Sequence, residues 1–449
     1  MRKLIGLLAI IVALLAFSGC AADPAAGAGE GVPVLRMMFW GGLDELNAMT
    51  DVINRFNAQN EGRVYVIPLH TPADYVMVMN AMIADGEPPD IAYIAAGNFQ
   101  VYASEGHLLD MSTLPGFNVG DFLPRSVWRY QGRVYALSTA EVNLFLAYNP
   151  ELFEEHGITP PPHRIENALS RDDFLNLAQR MTFDRQGRNA LDPNFDGNNV
   201  AVFGFNHGPW LNNTLLMVTS AGGSLLNADR TNTNFDTDPW IDTLYFLNRT
   251  IYTYRVSPTP FDTEGFPYQA FLSGAFAMQI DGRWSMLWLN NIGLNVGVSV
   301  LPDFGHGPYT MSAPGVTAIF AASEHPELAW EFYQFKIDVQ NGATELYTQG
   351  LWQPILEKWY HEPYLAVWTD NYRHPESFFG GIIDMSLRPE RNVQLPAQYI
   401  RQLGELTTFV NPVLQEIWGR QMTRAEIASI MQELQRNVEA NNAFRGVFN

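Results

Sequence analysis

Two alternating rhythms of apolar positions run along the chain. Residues 34–40, VLRMMFW, form a run of strand type that Gly41-Gly42 interrupts. Leu46, Met49, Ile53 and Phe56 then fall on one face of a helix that stops near Asn60 and Gly62. VYVI at 64–67 predicts a second strand. Tyr75, Val78, Met79, Met82 and Ile83 predict a second helix ending at Gly86, and IAYI at 91–94 a third strand. Strand alternating with helix predicts an α/β lobe with a mostly parallel sheet. Ligands of such sheets sit beyond the carboxyl ends of the strands. Trp40, Asp44, Glu45, Gly97 and Asn98 all lie just past those ends.

The rhythm resumes further on. VNLFLAY at 142–148 predicts a strand, followed by Asn149 as N-cap, Pro150 at the first helical position and Gly157 as the stop. Ser170 caps a helix whose inner face is Phe174, Leu177, Ala178 and Met181; residues 211–221 predict another. In YQAFLSGAFAMQIDGRW, a helix end at 268–273 precedes a strand at 275–280. Asp281-Gly282 then turns the chain, and Trp284 opens a helix. Strands are predicted at 296–302 and 317–323, and Pro326 begins a helix carrying Leu328, Phe332 and Phe335. Thr423 and Glu426 make a capping box for a last helix striped by Ile427, Ile430, Leu434 and Val438.

The longest apolar run is the first. Arg2 and Lys3 precede residues 4–17, which are apolar throughout apart from Gly6; Ser18, Gly19 and Cys20 follow. As a helix that run would reach about 21 Å, short of the roughly 30 Å of a bilayer core, so it predicts a signal peptide (residues 1–20) rather than a span. Its end, FSGC, looks like a bacterial lipobox, a resemblance that implies lipidation of Cys20. Cys20 is the only cysteine in the chain, so it has no internal disulfide partner. Residues 21–32, small and Gly-rich, read as a tether.

Composition narrows the function classes. The formal charge is −20, and −22 once Arg2 and Lys3 leave with the signal, which disfavours nucleic acid. Hydrophobic residues make up 47% of the chain, enough for a large core, and the length suits two or three lobes. The 11 Trp and 18 Tyr are a generous supply of flat amphipathic rings of the kind that stack on sugars, although most such rings pack in a core. A loop at 184–199 places Asp192, Asn194, Asp196 and Asn198 in the spacing that opens a calcium loop. The closing carboxylate is absent, however: position twelve is Phe203, and an Asx-rich turn accounts for the same residues. No cofactor motif, Ser nucleophile elbow or HExxH stands in the chain.

Read in order, FWGG, GEPPDIAYI, GRVYAL, LFLAYNPELFEEHGI, SRDDFLNLAQRMT, GFN, GGSLLN, FLSGAFAMQIDGRW, SVLPDFGHG and HPELAWEFYQF resemble the bacterial extracellular solute-binding proteins of ABC sugar importers, the group that includes the maltose-binding protein. The resemblance implies an α/β, two-lobed periplasmic-binding-protein-like fold with the ligand cleft between lobes. Lobe I is expected at 33–141 plus 314–350 and lobe II at 142–313 plus 351–449. It further implies a non-enzymatic, monomeric carbohydrate receptor without cofactor, anchored outside the cell membrane and docking on permease transmembrane subunits. Trp40 and Asp44 match an aromatic and an acid that follow strand one. Gly97 and Asn98 stand where maltose-type proteins carry a charged pair. Glu141 falls near a cleft acid, with one extra residue before the following Tyr-Asn. Trp210 lies near an aromatic cleft position, and Trp284 matches the stacking Trp. Glu45, Asn143, Asp281, Trp352 and Tyr399 complete the expected ligand-binding set. Asp44, Glu45 and Glu141 keep a polyamine ligand open, a peptide is a further non-sugar alternative, and a secreted glycosidase is the enzymatic alternative.

Overall fold

A computed structural model describes residues 27–441 apart from 209, 260–270, 272, 287–294 and 372. The expected signal, Cys20 and most of the helix end at 268–273 lie outside the described residues. The described residues form eleven strands: β1 (Val34–Phe39), β2 (Tyr65–His70), β3 (Ile91–Ile94), β4 (Val127–Tyr130), β5 (Arg133–Ser138), β6 (Leu144–Tyr148), β7 (Phe183–Asp184), β8 (Val200–Val202), β9 (Met278–Gly282), β10 (Gly297–Ser299) and β11 (Val316–Ile319). They form a six-stranded sheet in the order β2-β1-β3-β11-β5-β4, a three-stranded sheet β10-β6-β9, and the small pair β7-β8.

The first sheet is mixed, which corrects the expectation of a mostly parallel one. β1 pairs parallel with β2 and β3, but β11 is antiparallel to both β3 and β5. The cause is topological: β11 returns from the second lobe instead of following a crossover helix within the first. β4 and β5 form a hairpin that apolar periodicity did not reveal. Gln131 and Gly132, at φ 47° and 79°, make the two-residue turn, whose twist suits such a hairpin and whose left-handed backbone glycine adopts without strain.

Helices cover both faces of the first sheet. Leu35, Met37 and Phe39 point into one apolar layer with Met49, Val52, Ile53 and Phe56 of α1 (Leu43–Gln59). Met38 points into the opposite layer, with Met79 of α2 (Tyr75–Ala84). Phe56 packs edge-on against Phe332 of α3 (Pro326–Ile337) at 5.1 Å. In the second lobe, long helices at Asp238–Tyr252, Leu403–Gly419 and Arg424–Ala440 pack together, the last opened by the expected Thr423–Glu426 capping box.

Between the two sheets, chain segments lie side by side. Asn143 bridges to Ser312 and Glu141 to Gln353, while the Thr139 amide donates to the Gly315 carbonyl at 2.8 Å. Beyond Trp352 the chain stays against the first lobe: Leu356 bridges to Phe122, and the helix Tyr364–Thr369 packs on Thr344–Thr348, which rests on α1. It packs on β10 at Glu376–Phe378.

Candidate functional site

Where the segments between the lobes meet the ends of β1 and β3, a cavity of about 90 Å³ is lined by Trp40, Glu45, Tyr93, Thr139, Ala140, Val142, Gly315, Leu351 and Trp352. Trp40 follows β1 directly and is held edge-on between two tyrosines, Tyr75 at 4.8 Å and Tyr93 at 5.1 Å. Tyr75 is fixed in turn, since its hydroxyl donates to the Tyr93 carbonyl at 2.8 Å. The half-buried indole therefore keeps its placement without a ligand, at little further cost in side-chain entropy on binding. Asp44 and Glu45 occupy the first turn of α1, where the helix dipole favours acids. Asp44 is exposed and Glu45 half-buried. Burial pushes the Glu45 carboxyl up to about 7, against the opposing pull of the neighbouring Tyr93 hydroxyl and the charge of Lys336. Gly97 is exposed and Asn98 half-buried, both in a short 3-10 turn directly after β3.

The second lobe contributes a pair of indoles. Trp210 precedes the helix Leu211–Ser220 and is 52% exposed, a large apolar surface left in water. Its ring lies 6.0 Å from that of Trp284 at an interplanar angle of 40°. Two features of the sequence hold Trp284. Gly282 carries no side chain where the indole rests, and a Cβ there would come within 2.2 Å of ring carbon Cζ3. The indole also donates a hydrogen bond to Asp281. Asp281 is buried and accepts from the Gly282 amide and from Gln279 Nε2, each at 2.7 Å. Burial outweighs these donors and pushes its carboxyl up to about 7. Asp281 thus serves to orient Trp284. The strand runs through Asp281 and Gly282 to this point, where a turn was expected.

The other expected residues take varied positions. Glu141 is fully buried and paired with Arg125, whose side chain is 11% exposed and also donates to the Ser386 carbonyl. Asn143 is equally buried, donating to Thr310 Oγ1 at 3.3 Å and accepting from Ser386 Oγ at 3.2 Å. Both belong to the joint between the lobes rather than to a cleft wall, because the segments that carry them pair with neighbours on each side. Trp352 lines the cavity but is only 5% exposed, packed against Tyr347. Tyr399 is half-buried beneath the Arg230 guanidinium at 5.2 Å, and burial raises its hydroxyl pKa. It follows the turn Pro396–Gln398, which packs on Ala96–Asn98. Asp192, Asn194, Asp196 and Asn198 form successive Asx turns: Asp192 accepts from the Asn194 amide at 2.7 Å and Asp196 from that of Asn198 at 3.1 Å. Among the described residues no group of three or more His, Cys, Asp or Glu side chains is placed to hold a metal ion.

Tyr93, Thr139, Gly315 and Lys336 were not expected here. Lys336 did leave a signal, since it sits three and four residues after Tyr333 and Phe332, on the buried side of α3.

Solved structures share this architecture. An ABC substrate-binding protein from Listeria monocytogenes in complex with cycloalternan superposes with a TM-score of 0.74 at 18% identity, covering 91% of this chain and 100% of that one. The cyclic alpha-maltosyl-1,6-maltose binding protein from Arthrobacter globiformis gives 0.72 at 16% identity, over 91% and 99%. The maltose/maltodextrin-binding domain from Bdellovibrio bacteriovorus bound to maltotriose gives 0.66 at 15% identity, over 91% and 100%. At these identities the likeness establishes the two-lobed fold. Residues 42–341, well over half of the chain, match the family described as bacterial extracellular solute-binding protein, and the chain belongs to that family.

Proposed function

We propose that this protein is the carbohydrate receptor of an ABC importer, capturing an oligosaccharide between its lobes and delivering it, without chemical change, to permease subunits in the membrane. The observation that carries this reading is the set of pre-placed indoles: Trp40 on the first lobe, Trp210 and Trp284 on the second. A pyranose has an apolar face of C–H groups that an indole covers without a charge partner, and an edge of hydroxyls that Asp44, Glu45 and Asn98 can accept from or donate to. The ligands of the structural neighbours, which include cycloalternan and maltotriose, agree in class.

Thermal-shift and calorimetric titration with maltose, maltotriose and a cyclic α-glucan, run beside spermidine and a peptide mixture, tests the reading. Product chromatography accompanies each arm. A sugar is expected to raise the melting temperature with no product formed. Binding of spermidine or peptide alone would reassign the ligand, and hydrolysis of the sugar would make the protein an enzyme. A ligand touching both lobes stabilises the state in which they approach. X-ray scattering should therefore give a smaller radius of gyration at saturating sugar; an unchanged radius argues against lobe closure.

The anchor belongs to the same reading. Cys20 follows Ser18-Gly19 at the end of the apolar run, and among the described residues no helix is long and apolar enough to cross a membrane. Lasting retention takes more than one acyl chain. Cys20→Ser is expected to release the protein into the medium or leave the precursor uncleaved. Normal processing with normal membrane retention would remove lipidation from the proposal.

A further inference from the structure

The chain contains three lysines, and Lys336 is fully buried. Its ammonium lies 5.0 Å from the Trp352 ring centroid, 5.3 Å from that of Tyr93 and 5.4 Å from that of Tyr333, and it makes no hydrogen bond. A buried ammonium without a hydrogen bond is costly, and three ring faces offset only part of that cost. Two of the three rings, Tyr93 and Trp352, line the cavity at the ends of β1 and β3, and so does the carboxyl-bearing Glu45. Lys336 thus stands behind the cavity wall and Glu45 at its surface.

We propose that Lys336 is the counterion of Glu45, and that this pair makes the cavity wall a carboxylate acceptor that selects a ligand with a hydroxyl to donate at that point. The proposal rests on the sugar-receptor reading for its ligand, though not for the pairing itself. The charge balance of the wall supports it. Burial acts on both groups, pushing Glu45 up to about 7 and Lys336 down to about 7, while each charge favours the charged form of the other. The other titratable side chains around the pair are tyrosines on four elements: Tyr75 on α2, Tyr93 on β3, Tyr333 on α3 and Tyr347 on the helix Thr344–Thr348. Burial raises the pKa of all four, so they stay neutral through the physiological range. Asp44 neighbours Glu45 in sequence but is exposed to water, and His70 is turned to the Gly41 carbonyl at 3.0 Å. Lys336 is thus the charged neighbour that favours the ionised form of Glu45, beside the hydrogen bond of the Tyr93 hydroxyl and against burial. A carboxylate binds a hydroxyl about twice as strongly as a neutral acceptor does, so Lys336 acts on the ligand through Glu45 as a positioning residue.

The test is a titration of the Glu45 side-chain carboxyl by carbon NMR, assigned by its loss in Glu45→Gln. Wild type is compared with Lys336→Met, a neutral side chain of similar length suited to an aromatic cage. The Glu45 midpoint is expected to rise by about one pH unit when the ammonium is removed. Maltotriose affinity is expected to fall about fivefold at pH 7, the change in ionised fraction for a midpoint moving up one unit from near 7, and to recover at alkaline pH. A merely structural lysine would leave the midpoint and the pH profile in place. Should Lys336→Met fail to fold, the Lys336 side chain is titrated instead in Glu45→Gln. Coupling is reciprocal, so its midpoint should fall by the same amount. An unmoved midpoint in either variant overturns the pairing. A moved midpoint in a protein that binds none of the sugars upholds the pairing and overturns the sugar reading.

Discussion

Replacing Trp284 with alanine is expected to weaken sugar binding by about 2–4 kcal/mol, roughly 30- to 1000-fold. The ring is half-buried, fastened from below by Gly282 and Asp281 and paired with an exposed Trp210. Truncation removes the stacking face and leaves Trp210 without its neighbour. Unfolding free energy of the ligand-free protein should change less, because the indole is only partly buried. A core tryptophan such as Trp240, fully buried, would behave in the opposite way, costing about 3–5 kcal/mol of stability on truncation. Calorimetry and denaturant melts on one variant separate the two roles. A destabilised protein that binds sugar with wild-type affinity would assign Trp284 to packing and withdraw the indole pair from the site. Trp210→Ala should share the direction of the affinity loss with almost no cost in stability.

The second large effect belongs to Glu141. Its carboxylate is fully buried against Arg125, and removing one partner of such a pair strands the other charge in the interior. Glu141→Ala should cost about 3–5 kcal/mol of stability, seen as an early melting transition. Replacing both partners together, Arg125→Met with Glu141→Leu, should recover most of that loss, since no unpaired charge remains. Were Glu141 instead a ligand contact, the single variant would melt normally and lose affinity. The pair joins the segment before β4 to the segment between the sheets, and Arg125 reaches on to the Ser386 carbonyl. A loose joint should also broaden the distribution of lobe separations seen by scattering.

Local periodicity made much of the first lobe legible. α1 and the Asn149, Ser170 and Thr423 caps could be read because each rests on contacts within a few residues along the chain, and β3 because its apolar run is bounded by breakers. The aromatic and acidic residues after β1 could be placed for the same reason: a strand end followed by a helix start fixes where a side chain emerges. Trp284 could be singled out because Gly282, on which its ring rests, stands two residues before it in sequence. The direction of β11, the partners of Glu141 and the neighbours of Lys336 are decided by chain segments far apart in sequence. An acid at the end of a strand reads alike whether it faces a cleft or an arginine, and only the pairing of residues 141 with 353 and 143 with 312 turns Glu141 and Asn143 inward. A lone lysine on an apolar helix face reads as a defect until Tyr93, Tyr333 and Trp352 surround it. Burial and the company of other charges set the chemistry of such groups, and both arise only when remote segments pack.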